Sequence, residues 1–148
     1  VILVMRSRAP DPIGDALAVL QKTKLAGPVV VGEGLLYIEL MQSADADTRS
    51  RLVYLKRPPG VTSPDPTNEN EVVRLATSHL EYRVSSQRAF LADNADFHVL
   101  ARPGMSVDTT TPTLAELGIL GVPVDAGHDI VLYPSSSAAK TQKNRDRP

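Results

Sequence analysis

The strongest constraint on the fold is the alternation of apolar and helical segments at the start of the chain. Residues 1–5 (VILVM) form a continuous apolar run, as expected of a strand covered on both faces. Asp11 is placed to cap a helix, and Pro12 suits its first position. Ile13, Ala16, Leu17 and Leu20 then fall at i, i+3, i+4 and i+7, which gives one apolar stripe. Lys22 and Lys24 favour the negative end of that helix, and Gly27-Pro28 stop it. Residues 28–31 read as a second strand. Strand, helix, strand in this order is a βαβ unit, which makes the two strands parallel.

The rest of the chain supplies further elements. Residues 35–41 are apolar apart from Glu39, and residues 51–57 alternate in polarity. With the short polar stretch QSADADTRS between them, they are expected to form an antiparallel hairpin. Residues 56–70 contain four prolines and read as a long surface loop. Thr67 or Asn68 is expected to cap a helix with Glu69 and Glu71 in its first turn and a stripe of Val73, Ala76, Leu80 and Val84. Ser85-Ser86 ends that helix and caps another through Arg88, Ala89 and Leu91. A strand is expected over 96–101, a short helix from Thr111-Pro112 with Thr113 and Glu116 at capping-box spacing and Gly118 as its stop, and a last strand over 128–133. The sum is one α+β domain over residues 1–134: a mixed sheet with an N-terminal βαβ unit, a hairpin and three to four helices.

Residues 135–148 are different in kind. They are small, polar and basic, and by themselves are expected to be disordered. Lys140, Lys143, Arg145 and Arg147 face only Asp146, so this tail carries +3 while residues 1–134 carry −4, within a chain of net charge −1. A basic tail on an acidic body is the one charge asymmetry in the sequence.

Several function classes are set aside by residue type. The chain has no cysteine, which removes thiolate chemistry and Cys-ligated zinc and fits a reducing compartment. Six aromatics among 148 residues are a poor basis for a stacking platform for single-stranded nucleic acid. No apolar stretch approaches the ~18 residues of a membrane-spanning helix, and Arg6 ends the first apolar run too early for a signal-peptide core. The expected location is the cytoplasm or an assembled particle, with no membrane partner and no cofactor.

The loop of residues 6–11 is the first candidate site. At the carboxyl end of a strand and the start of a helix, Arg6, Ser7 and Arg8 have the chemistry to grip an anion such as phosphate. No glycine precedes Gly14, however, and Asp11 competes for the same helix N–H groups, so solvated arginines on a short connection are the preferred reading. Asp96 and His98 are the second candidate. On a strand they share one face at a spacing that suits a metal, but a third ligand must come from elsewhere, and surface histidines beside acids are the commoner outcome. His79 and Glu81 diverge if their segment is helical, and His128 neighbours Asp129. There is no G-x-S-x-G elbow, and ARPGMS (101–106) is read as a turn.

The tail is the third candidate. Its four cations would meet nucleic-acid phosphates only weakly and without sequence preference, so binding to other protein subunits, above all further copies of the chain, is preferred. Two function classes follow. The first is a non-enzymatic assembly or interaction protein that forms a homo-oligomer or part of a larger particle. The alternative is a small phosphate- or nucleotide-binding α/β enzyme that uses the loop of residues 6–11.

Overall fold

The computed structural model describes residues 11–23, 25, 27–62, 66–105, 107–126, 129–145 and 147. The expected strand over 1–5 and the candidate residues Arg6, Ser7 and Arg8 lie outside them. Helix α1 (Pro12–Lys22) begins as its sequence dictates: Asp11 accepts a hydrogen bond from the Gly14 amide at 2.9 Å, and Pro12 occupies the first turn. Ala16, Val19 and Leu20 are buried, and Leu17, at the edge of the same stripe, is half-buried against the core.

Three valines form the central strand, β1 (Val29–Val31). It lies parallel to β2 (Leu52–Lys56) on one side and to β4 (His98–Ala101) on the other, with Val29 in register with both Leu52 and His98. β3 (Val84–Ser86) adds to β2 in parallel, while β6 (Val131–Pro134) and β5 (Asp125–Ala126) extend the other side in antiparallel fashion. The order is β3-β2-β1-β4-β6-β5, a single mixed sheet in one α+β domain.

Residues 35–41 are not a strand, and the hairpin expected over 35–57 is not formed. They lie in α2 (Gly34–Ser43), where the buried positions Leu36, Tyr37, Leu40 and Met41 recur with helical spacing. A short apolar run fits a buried strand and a buried helix equally well, and here Leu, Glu and Met in a ten-residue element favour the helix. The polar stretch that follows is a further helical turn, α3 (Ala46–Arg49), capped by Asp45 through the Thr48 amide at 2.8 Å. Residues 34–51 therefore cross over the sheet face, so β1 and β2 are parallel. The hairpin of this sheet is instead β5–β6.

The remaining helices are α4 (Pro66–Ser78), α5 (Gln87–Asp93), α6 (Thr110–Glu116) and α7 (Ser136–Arg145), seven in all among the described residues. Ser86 caps α5 as its sequence predicts, through the Ala89 amide. The α4 stripe stops short of its expected length, because Leu80 is fully exposed and Val84 belongs to β3. Gly118 ends α6 with φ of +68°, a conformation that glycine adopts without strain. The end expected without regular structure is helical in α7, whose polar residues are capped by a buried serine, Ser135.

Strand alternation divides the core in two. Val29, Val31, Leu52, Tyr54, Leu100 and Leu132 pack beneath α1, α2 and α4, while Val30, Val53, Leu55 and Val99 face Phe90, Phe97 and Leu114 on the other side. Among the described residues, no helix is long and apolar enough to cross a membrane.

Candidate functional site

Strand order reverses between β1 and β4: the chain leaves β1 toward β2 on one side, and β4 continues toward β5 and β6 on the other. In open α/β sheets, ligands gather in the crevice at such a switch point, outside the carboxyl ends of the strands. Here Gly32, Glu33 and Gly34 follow β1, and Arg102 follows β4, with the Gly32 amide donating to the Leu100 carbonyl at 3.0 Å. Arg102 reaches across the reversal, its Nη1 standing 3.4 Å from Oε1 of Glu33, which is only 5% exposed. Asp108, 7% exposed, accepts from the Thr111 amide at 3.0 Å and from the Thr111 hydroxyl at 2.5 Å, so it caps α6. Burial pushes the Asp108 carboxyl above its ordinary range, against the pull of those hydrogen bonds. Its oxygens lie against Gly32, where a Cβ would stand 2.4 Å from Oδ2.

The same rim carries the N-terminus of α4. Glu69 in its first turn pairs with the Arg57 guanidinium just past β2, and Arg57 also donates to the Val61 carbonyl. Three helix N-termini thus converge on the crevice, and each carries a carboxylate of this chain: Glu33 at α2, Glu69 at α4 and Asp108 at α6. Asp108 takes a helix N–H group that a phosphate would use, whereas Glu33 makes no capping hydrogen bond and Glu69 turns to Arg57; at those two ends the carboxylates place negative charge where a phosphate would have to bind. The cavity left among Glu33, Gly34, Tyr54, Asn68, Glu69 and Thr109 is about 10 Å³, roughly the room needed by one water.

His98 sits near the opposite end of β4. It is half-buried, and burial holds its imidazole below the ordinary pKa despite the nearby Asp96, which is itself exposed. Its Nδ1 is buried without a hydrogen-bond partner. Among the described residues, no group of three or more His, Asp or Glu is gathered where a metal would bind. His79 stacks near Tyr82 with ring centroids 5.5 Å apart, and Glu81 pairs with Arg49 at 3.4 Å, so these two serve separate contacts. His128 lies outside the described residues.

That end of the sheet also holds the third candidate, α7. Ser135 is buried, and its hydroxyl donates to the Ala95 carbonyl at 3.0 Å while accepting from the amides of Phe97 and Ala138. Ser136 donates from its amide to Ile119 and from its hydroxyl to Gly118. One knot of hydrogen bonds therefore joins the start of β4, the segment after α6 and the start of α7. Lys140, Lys143, Arg145 and Arg147 all extend from it and are exposed.

The segment beside this knot exposes three aliphatic side chains that the sequence reading missed. Leu117, Val122 and Val124 are 58%, 80% and 51% exposed. Glu33, Arg102 and Asp108 were missed as well; the one signal was GEG directly after three valines. Comparison with protein-family models, curated proteins and solved structures gives no match.

Proposed function

We propose that this chain is a non-enzymatic assembly protein that forms a homo-oligomer through its C-terminal helix. The observation that carries this reading is the placement of α7. The hydrogen bonds that seat it lie at its start, at Ser135 and Ser136, while its cations project outward. A ten-residue polar helix is marginal in water alone, and its cations suit an acidic surface such as the −4 body of another copy.

A second reading, a phosphate- or nucleotide-binding α/β enzyme, is favoured by the strand reversal at β1 and β4. The carboxylates already at the three helix N-termini oppose it, and its original loop, residues 6–11, rests on positions outside the described residues apart from Asp11. Phosphate and nucleotides should therefore leave the melting temperature unchanged.

Light scattering of the full chain against a Lys140→Glu, Lys143→Glu, Arg145→Glu variant tests the first reading. The variant should remain folded and lose mass relative to the parent, and added salt should weaken the parent's association. Equal masses at every concentration and salt level would overturn the proposal.

A further inference from the structure

We infer that His98 makes the seat of α7 sensitive to acid: protonation of its imidazole loosens the start of β4, and with it the end of β6 and the root of α7. The device acts within one chain and does not depend on the assembly reading. Its placement is fixed by the backbone. His98 opens β4 in register with Val29 of β1 and Pro134 of β6. Its amide donates to the Pro28 carbonyl at 3.1 Å, at the entry to β1. Phe97, immediately before it, is bonded to Ser135 in both directions. The Phe97 amide donates to the Ser135 hydroxyl at 3.2 Å, and the Ser135 amide donates to the Phe97 carbonyl at 2.8 Å. Ser135 holds the root of α7 in turn, accepting from the Ala138 amide at its hydroxyl and from the Ala139 amide at its carbonyl. A disturbance at His98 is therefore one residue away from the bonds that seat the helix.

The imidazole suits this place only when neutral. Its Nδ1 is buried and, among the described residues, has no hydrogen-bond partner. A neutral ring can leave Nδ1 as a bare acceptor, but an imidazolium carries an N–H at both nitrogens. Protonation thus puts a donor without an acceptor, and a charge, into a half-buried site. The strand neighbours give no relief, because the register partners Val29 and Pro134 bear no titratable or charged group. Asp96, two residues earlier, is the charged group that acts on the ring; it is exposed, and burial outweighs its attraction. Below the ordinary imidazole value of 6.5, an opened β4 takes up a proton that the closed one excludes. The closed state therefore loses stability as pH falls.

Amide hydrogen exchange of the full chain from about pH 7.5 to about pH 5, corrected for its intrinsic pH dependence, tests this, with the imidazole signals followed by NMR over the same range. Protection of the Phe97, Ser135, Ala138 and Ala139 amides should fall by up to about tenfold per pH unit below 6.5. The Tyr54 amide, bonded to the Arg83 carbonyl on the far side of the sheet, should keep its protection. His98→Gln should abolish the fall, and His79→Gln should retain it. Asp108, whose raised carboxyl moves stability the other way with pH, is common to all three proteins and cancels in the comparison. A His98 ring that titrates at or above its ordinary value overturns the inference. So does a fall spread evenly over the sheet, a fall that survives His98→Gln, or an α7 root already unprotected at neutral pH. If His98→Gln does not fold, the ring titration and the local pattern of exchange in the parent decide the matter.

Discussion

Replacing Tyr37 with Phe tests how the α2 face of the core is pinned. The Tyr37 ring is fully buried, within 5.9 Å of the rings of both Tyr54 and Tyr82. Its hydroxyl donates to the Arg83 carbonyl at 3.2 Å and accepts from the Arg83 amide at 2.7 Å, tying α2 to the chain entering β3. Phe keeps the ring and leaves that amide unsatisfied, while the Arg83 carbonyl retains the Tyr54 amide as a donor. The expected cost is about 1–2 kcal/mol at neutral pH, and about 2–4 °C in melting temperature per kcal/mol for a domain of this size. Burial pushes the phenol from 10.0 up to about 12. Between those values the native state keeps a proton that the unfolded chain releases, so stability falls as pH rises through the window. At ~1.36 kcal/mol per pH unit the loss reaches roughly 2–3 kcal/mol, and Tyr37→Phe is spared it. Urea denaturation of both proteins at a series of pH values, read as a difference, should show a gap at pH 7 that closes between about pH 10 and 12. No gap at neutral pH, or a gap constant into the alkaline range, would refute the reasoning.

Two other substitutions probe the crevice. Gly32→Ala places a Cβ 2.4 Å from Asp108 Oδ2, and Asp108 is held by Thr111, so the melting curve should report a loss of about 1–3 kcal/mol; an unchanged midpoint would mean that Asp108 moves freely. Asp108→Asn removes a buried charge, keeps the acceptor for the Thr111 amide and offers an N–H to its hydroxyl. Because the carboxyl is raised above 3.8, the native state holds the extra proton in the window above that value and wild-type stability falls there as pH rises. The variant should match or exceed the wild-type melting temperature at neutral pH, and a clear drop would show that the ionised form is needed.

What the sequence disclosed follows from how locally each feature is encoded. The start of α1, the cap at Ser86 and the stop at Gly118 depend on residues within one turn of each other, and they stand where they were expected. The apolar run 35–41 carried no such local mark. Its Leu, Glu and Met content favours a helix, but what makes it a crossover is the parallel pairing of Val29 with Leu52, a contact between residues far apart in sequence. Residues 135–148 offered no apolar periodicity, and α7 is seated by Ser135 reaching Phe97 and Ala95, forty residues away in sequence. The Glu33–Arg102 pair spans 69 residues, and neither residue announces the other. Exposure at Leu117, Val122 and Val124 was hidden for the opposite reason: an apolar residue reads the same whether a neighbour covers it or not.

The placement of β1 has a consequence for synthesis. This three-residue strand needs β2 on one side and β4 on the other, and β4 ends only at Ala101, with β6 beside it ending at Pro134. A nascent chain that has emerged as far as α5 holds the valines, α1, α2 and α4 but, among its described residues, lacks the strand that pairs with one edge of β1. Growth of the sheet on that side is thus delayed until residues 98–134 have been made, and chains stalled before residue 98 would present that parallel edge of β1 to their neighbours.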